Sequence, residues 1–163
     1  MPMFSTPNRF TVVCDGGAAP NPGRGGWAYL IAEGDLDVSS PVPDNLLVKR
    51  CAGVPHATNN QMELQAAIEA LTDPTLPDGA HVTLMQDSQY VLKGLLEWMP
   101  GWKAKNWRTS AGKPVENKEL WLKLDAARQR FSKVSAQWVR GHSGHPLNEL
   151  ADEMVGQGRA QLG

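Results

Sequence analysis

Four carboxylates, Asp15, Glu63, Asp87 and Asp152, each stand at the end of a strand-like run or near the start of a helix-like one. Asp15 closes Phe10-Thr11-Val12-Val13-Cys14, and Asp87 closes Val82-Thr83-Leu84-Met85-Gln86. Glu63 and Asp152 fall in helices expected to begin at Asn59-Asn60 and around Pro146. An α/β fold gathers residues distant in sequence into the crevice beyond its strand ends. Acids gathered there without partners repel one another, and divalent cations relieve that repulsion, an arrangement suited to phosphodiester hydrolysis by two metals. Taken singly, each acid has a plainer reading: a helical Glu faces solvent, and an Asp after a strand caps a turn. Asp15 and Asp87 favour the shared site because each directly follows residues expected in the core.

The elements that must position these acids are legible in the periodicity. Residues 9–15 alternate as a strand, with Val13 and Asp15 on one face and Val12 and Cys14 on the other. A turn-rich stretch, Gly16 to Gly23, leads to a second strand, Gly25 to Ile31, so the two form an antiparallel pair with a wide loop. Residues 34–44 read as a connection and Leu46 to Gly53 as a third, outer strand. Asn59-Asn60 starts a helix whose buried stripe is Leu64, Ile68 and Leu71, with small Ala66, Ala67 and Ala70 letting it approach the sheet. Strand four spans 81–87, and a helix capped by Ser88 runs to Met99, where Pro100-Gly101 breaks it. A helix from Glu116–Asn117 to Ser132 buries Leu120, Leu124, Ala127 and Phe131; strand five is Val134 to Val139; the last helix runs from Pro146 toward Val155.

At 163 residues the chain is read as one domain, with about 1–8 and 157–163 as loose ends. No apolar run approaches the roughly 20 residues of a membrane span, and the N-terminal residues lack the pattern of a signal peptide. Cys14 and Cys51 belong to no metal-binding spacing, and a reduced cytoplasmic setting fits them best. The net charge of −1 conceals an asymmetry: residues 93–140 hold eleven bases and four acids, a local +7, and the remainder carries −8. Such a division suits a polyanion on one region and metal in the other. Its plainer reading is a solvated helical surface, and the tryptophans interleaved with the bases favour the first.

Asp15-Gly16-Gly17 with Asn21-Pro22-Gly23, then Thr58 to Leu64, then Asp87-Ser88-Gln89-Tyr90-Val91, then Trp138 to Pro146 with Asn148-Glu149 and Asp152 resemble ribonuclease HI of the bacterial type. The likeness runs from about residue 9 to 156. It implies an α/β fold of the ribonuclease H-like kind, a five-stranded mixed sheet with helices on both faces. It also implies hydrolysis of the RNA strand of RNA–DNA hybrids with two Mg²⁺ ions, Mn²⁺ as a substitute, and products with a 5′-phosphate and a 3′-hydroxyl. By position, Asp15, Glu63, Asp87 and Asp152 become metal ligands. His142, between two glycines, becomes the residue that shuttles protons or helps product leave, a role suited to a side chain titrating near neutrality. His145 is read as a brace for its loop, and Glu149 either tunes the site or only sits beside it.

The resemblance also assigns substrate contacts. Asn59, Gln89 and the backbone near Asp15–Gly17 would read 2′-hydroxyls, for which amides are suited because they both donate and accept. Thr58 with Asn59 would anchor a phosphate of the DNA strand. Trp102, Lys103, Lys105 and Arg108 are assigned to the hybrid's flank, whereas Trp98 and Trp121, at helical spacing with Leu95 and Leu124, are read as core. Contacts to the backbone carry no sequence information, so cutting is expected to be sequence-independent. Three features depart from the family pattern: Gln61 where a basic residue is usual, Ala18-Ala19-Pro20 after Asp15, and the Pro-rich stretch 34–56. A monomeric, cytoplasmic enzyme is expected. The rival readings are a DNA-cutting transposase, integrase or resolvase on the same fold, and a hybrid-binding domain without turnover. The basic tryptophan-rich segment and the amides around Glu63 and Asp87 speak against the first. The retention of all four acids speaks against the second.

Overall fold

The computed structural model describes residues 9–37, 39–140 and 144–162. Its centre is a five-stranded sheet in the order β3-β2-β1-β4-β5. The strands are β1 (Arg9–Ala19), β2 (Gly23–Glu33), β3 (Val48–Ala57), β4 (His81–Gln86) and β5 (Lys133–Trp138). β1, β2 and β3 form an antiparallel meander, while β4 and β5 join β1 in parallel, so the sheet is mixed as expected. The helices are α1 (Asn59–Leu71), α2 (Gln89–Lys93), α3 (Met99–Ala104), α4 (Lys118–Arg128) and α5 (Pro146–Ala160).

Alternation along the strands divides the core in two. Phe10, Val12 and Cys14 pack with Leu64, Ile68, Leu71, Leu95, Trp121 and Leu124 beneath α1, α2 and α4. Val13, Ala28, Leu30 and Met85 turn to the other face and meet Leu147, Ala151, Met154 and Val155 of α5. A two-residue period sends alternate side chains to opposite faces, so helices cover both. No helix among the described residues is long and apolar enough to cross a membrane.

Four stretches of the chain differ from expectation. The Gly-rich stretch after Asp15 is strand, not loop: β1 continues to Ala19 and β2 begins at Gly23, leaving a tight turn in place of a wide one. The glycines there admit close neighbours, since a Cβ on Gly16 would overlap the main chain of Met62, and one on Gly25 would meet the Met62 side chain. β3 runs on to Ala57 as an edge strand, where Pro55 is tolerated because one side of the ladder is open.

Pro100-Gly101 does not break the helix after Ser88. A π-helical turn, Gly94–Trp98, joins α2 to α3, with Met99 N–H donating to the Gly94 carbonyl five residues back. Pro100 then lies at the second position of α3, inside a continuous helix where its missing N–H costs one intrahelical bond, and on that turn Arg128 Nη1 donates to the Leu95 carbonyl at 3.2 Å. Gly94 is required there because a Cβ would collide with the Trp121 ring. Residues 157–160, read as part of a loose end, belong to α5: Gly158 packs on the main chain of Ala52, and Arg159 donates to the carbonyls of Arg24 and Ala19 at 3.2 and 3.1 Å. The loose end expected at 1–8 lies outside the described residues.

Candidate active site

β1 and β4 run parallel, with Val13 opposite Met85 as their last pair. Two residues further along each chain stand Asp15 and Asp87, so the parallel register itself brings these acids side by side. Glu63 comes from the first turns of α1. That helix starts where it does because Thr58 caps it: Thr58 Oγ1 accepts the Gln61 N–H at 3.1 Å, and Gln61 Oε1 accepts the Thr58 N–H at 3.0 Å. Gln61, the departure from the basic residue of the family pattern, is therefore the second half of a capping box.

The Gly16 N–H donates to Glu63 Oε1 at 2.6 Å and lies 2.9 Å from Asp15 Oδ1, holding the two acids together. Carboxylate oxygens of Asp15, Glu63 and Asp87 all lie within 4.8 Å of one another. Asp152 stands apart from that trio on the exposed face of α5 but hydrogen-bonds Asp15 and adds to its repulsion. The structure thus brings three of the expected ligands together and sets the fourth at their edge.

The electrostatics are those of a crowded anionic cluster. Burial first, then the charge of Asp87, pushes the Asp15 carboxyl up to about 8, against the downward pull of its bond with Glu63. Glu63 is also held well above the usual carboxylate range, by burial and then by Asp15 and Asp87. Beneath them the fully buried Cys14 thiol is pushed up by burial and by Glu63, Asp15 and Asp87, so it stays an inert thiol. A hard-oxygen donor set under mutual repulsion is what a divalent cation neutralises.

Around the cluster, Asn59 Oδ1 accepts the Ala18 N–H at 2.7 Å, which turns the amide NH₂ outward as a donor. Thr58 Oγ1 is occupied as an acceptor by its cap and keeps its own proton to donate. Gln89 is exposed at the start of α2, beyond the Ser88 cap. His142 lies outside the described residues. His145 sits at the N-cap of α5 without a capping bond from its side chain, its carbonyl accepting the Glu149 N–H at 2.9 Å, and Glu149 is exposed.

The basic segment divides. Lys105 and Arg108 line a groove of about 380 Å³ together with Glu97, Trp98, Trp102 and Thr109. Lys103 instead pairs with Asp125 Oδ1 at 2.9 Å, where Arg128 also pairs, while its side chain stays 41 % exposed. Trp121 is fully buried as expected, but Trp98, read as core, is 37 % exposed and stacks edge-on against Tyr90. Trp102 bridges the two, 5.8 Å from Trp98 and 5.1 Å from Trp121.

Three residues of the site had no role in the sequence reading. Asn21 Oδ1 accepts the Asn59 N–H at 3.0 Å, tying the β1–β2 turn to α1. Gln86 reaches the main chain of Glu63, and Trp138 that of Asp87. The available signals were a polar residue ending the apolar run of β4 and an indole at the end of β5.

A five-stranded mixed sheet with carboxylates gathered where β4 ends beside the middle of β1 is the arrangement of the ribonuclease H-like class. The sequence model of the RNase H family matches residues 7–160, and this chain belongs to that family. It is 45% identical over 153 residues to a ribonuclease HI of Caulobacter vibrioides, covering 94% of each chain. Among solved structures, LC9-RNase H1, a type 1 enzyme with the type 2 active-site motif, superposes with a TM-score of 0.75 at 26% identity, over 96% of this chain and 74% of that one. LC11-RNase H1, solved with an RNA/DNA hybrid, shares the fold with a TM-score of 0.69 at 22% identity, over 94% and 98%.

Proposed function

We propose that this chain is an endoribonuclease that hydrolyses the RNA strand of RNA–DNA hybrids, independent of sequence, leaving 5′-phosphate and 3′-hydroxyl ends. The observation that carries the reading is the packing of Asp15, Glu63 and Asp87 within 4.8 Å in a chain of the RNase H family. The donor set, all carboxylate oxygen, fits Mg²⁺ or Mn²⁺, with Asp15, Glu63, Asp87 and Asp152 as the holding residues and two ions as the expected count. When bound, such ions lower the pKa of the attacking water and neutralise charge on the leaving oxygen.

The rest is the work of the chain's own residues. Gly16 N–H keeps Glu63 aimed at Asp15. The outward NH₂ of Asn59 and the exposed Gln89 meet 2′-hydroxyls across the wide minor groove of the hybrid. The Thr58 hydroxyl donates to a phosphate of the DNA strand. Lys105 and Arg108, with Trp102 between them and the core, follow the backbone further out. His142 takes the proton-transfer or product-release role. The protein acts as a single-domain monomer in the cytoplasm.

The reading is tested by offering a labelled hybrid, the matched RNA duplex and a DNA duplex, each with Mg²⁺ and with chelator. Metal-dependent cutting of the hybrid's RNA strand alone is expected. Binding without cutting would make the chain a hybrid-binding domain, and DNA cutting would move it to the recombinase side of the fold.

A further inference from the structure

Gln86 is the last residue of β4, fully buried, and immediately precedes Asp87. Its Nε2 donates to the main-chain carbonyl of Glu63 at 2.9 Å. Its Oε1, equally buried, has no hydrogen-bond partner among the described residues. A buried polar atom left unpaired is costly, and an apolar side chain of the same length would avoid it. What the amide adds at this position is therefore its donor. That one bond ties the turn of α1 carrying Glu63 to the strand end presenting Asp87.

A second bond acts from the opposite side. Trp138 ends β5 directly across the parallel ladder from Gln86. Its Nε1 donates to the main-chain carbonyl of Asp87 at 3.1 Å, while 49 % of the residue remains exposed. The path runs from Glu63 through the Gln86 amide to β4, and from Asp87 through the indole to β5. Both bonds end on main-chain carbonyls, so neither occupies a carboxylate oxygen that a cation needs. Carboxylates within 4.8 Å repel once both are ionised, as ligation of a cation requires, and these bonds oppose that push where it acts, on the backbone.

We propose that Gln86 and Trp138 are positioning residues that hold the backbones of Glu63 and Asp87 at the separation a shared divalent cation requires. The inference rests on the metal-dependent reading given under Proposed function. Groups that orient metal ligands without touching the metal commonly change affinity by about 10–100-fold when removed. Loss of either donor should widen the pair before metal arrives, so that binding must first draw the carriers together.

The test is calorimetric titration of the full chain with Mn²⁺ alone, with no nucleic acid, for the wild type, Gln86→Met and Trp138→Phe. Gln86→Met keeps the length of the side chain and removes the donor; Trp138→Phe keeps a ring and removes the N–H. Mn²⁺ binding weaker by about tenfold in Gln86→Met and by at least threefold in Trp138→Phe is expected. On the hybrid, kcat of Gln86→Met should fall while KM stays within about twofold, since Gln86 is fully buried. A Gln86→Met protein that melts earlier yet binds Mn²⁺ as the wild type does would show a core residue and nothing more, and overturn its role. Should that variant fail to fold, Trp138→Phe, altered on an exposed ring, decides: unchanged Mn²⁺ affinity overturns the proposal. A wild type that binds no Mn²⁺ overturns this inference together with the metal reading. A wild type that binds Mn²⁺ but cuts no hybrid, with both variants binding more weakly, supports the inference and removes only the substrate.

Discussion

The backbone N–H of Gly16 donates to Glu63 Oε1 at 2.6 Å, so the strand that carries Asp15 grips the helix that carries Glu63 one residue past the acid itself. That grip needs the first turn of α1 to lie against β1 with no side chain between them. A Cβ on Gly16 would overlap the Met62 carbonyl and the Glu63 nitrogen, both rigid main chain. Gly16→Ala is expected to destabilise the fold by about 3 kcal/mol, at the upper end of overpacking costs, and to lower activity out of proportion by moving Glu63. Urea unfolding beside kcat on the hybrid checks both, and a full-strength enzyme with an unmoved midpoint would sink the idea.

Asp87→Asn removes one of the three packed carboxylates while nearly preserving shape. Turnover should fall by at least about a hundredfold, more than is typical for groups one step removed from a metal. The same change relieves repulsion on Asp15 and Glu63, both raised in part by Asp87. The variant should therefore melt higher than the wild type in chelator, as expected where function costs stability. A lower melting temperature would mean that Asp87 is held by favourable contacts that outweigh the repulsion.

The metal-free protein should lose stability as pH rises. Asp15 titrates at about 8 in the fold against 3.8 for the ordinary carboxyl, and Glu63 is shifted the same way. Between those values the native state binds more protons than the unfolded chain, so unfolding free energy declines with pH. The contribution is complete below about pH 4 and gone above about pH 8. A bound cation removes the reason for the shift, so the gain in melting temperature from Mg²⁺ should be greatest at the alkaline end. Thermal melts from pH 5 to 9 with chelator and with Mg²⁺ measure this; equal gains at all pH values would contradict it.

Just past the C-terminal end of α1 the sign reverses. Tyr29 donates to the buried Asp73 at 2.6 Å. Burial pushes Asp73 up, but Tyr29, Thr75 and Arg50 together hold it below its ordinary value. Its stabilising effect is present above pH 4 and lost as pH falls through the lowered value in the fold. Tyr29→Phe should cost about 1.5–3 kcal/mol, as for a hydrogen bond to a charged group, and should reduce the loss of stability on acidification. Urea midpoints at pH 7 and pH 3 for both proteins read the two effects.

Lys103, Lys105 and Arg108 are alike in sequence and unlike in place. Lys103 pairs with Asp125 at 2.9 Å, whereas Lys105 and Arg108 line an open groove. Replacing Lys105 and Arg108 by Ala should weaken hybrid binding and reduce the slope of log K against log salt by about 1–2. Lys103→Ala should leave the slope alone and lower thermal stability slightly, since Arg128 still faces Asp125. A slope that changes with Lys103 would show that the pair opens for substrate.

What this sequence determined alone was the order of elements, the core stripes and the identity of the acids. Alternation in β1 and the Leu64, Ile68, Leu71 stripe in α1 are local patterns, set by the two periods of the backbone, and each appears where it was expected. The motifs around Asp15, Glu63, Asp87 and Asp152 carried the family for the same reason: residue types at fixed spacing. Tertiary structure decided what depends on neighbours distant in the chain. Trp121 lies so close to Gly94 that no side chain fits there, and the helix passes through a π-turn at Gly94–Trp98 and on through Pro100, where local rules end it. Asp125 pairs with Lys103 while its neighbour Lys105 faces an open groove. Gln86 and Trp138, unremarkable in their own strands, become partners of Glu63 and Asp87 only because β4 lies between β5 and β1, against which α1 packs. A hydrogen bond between residues 23 or 51 positions apart has no local signature, since only the folded chain brings its donor to its acceptor.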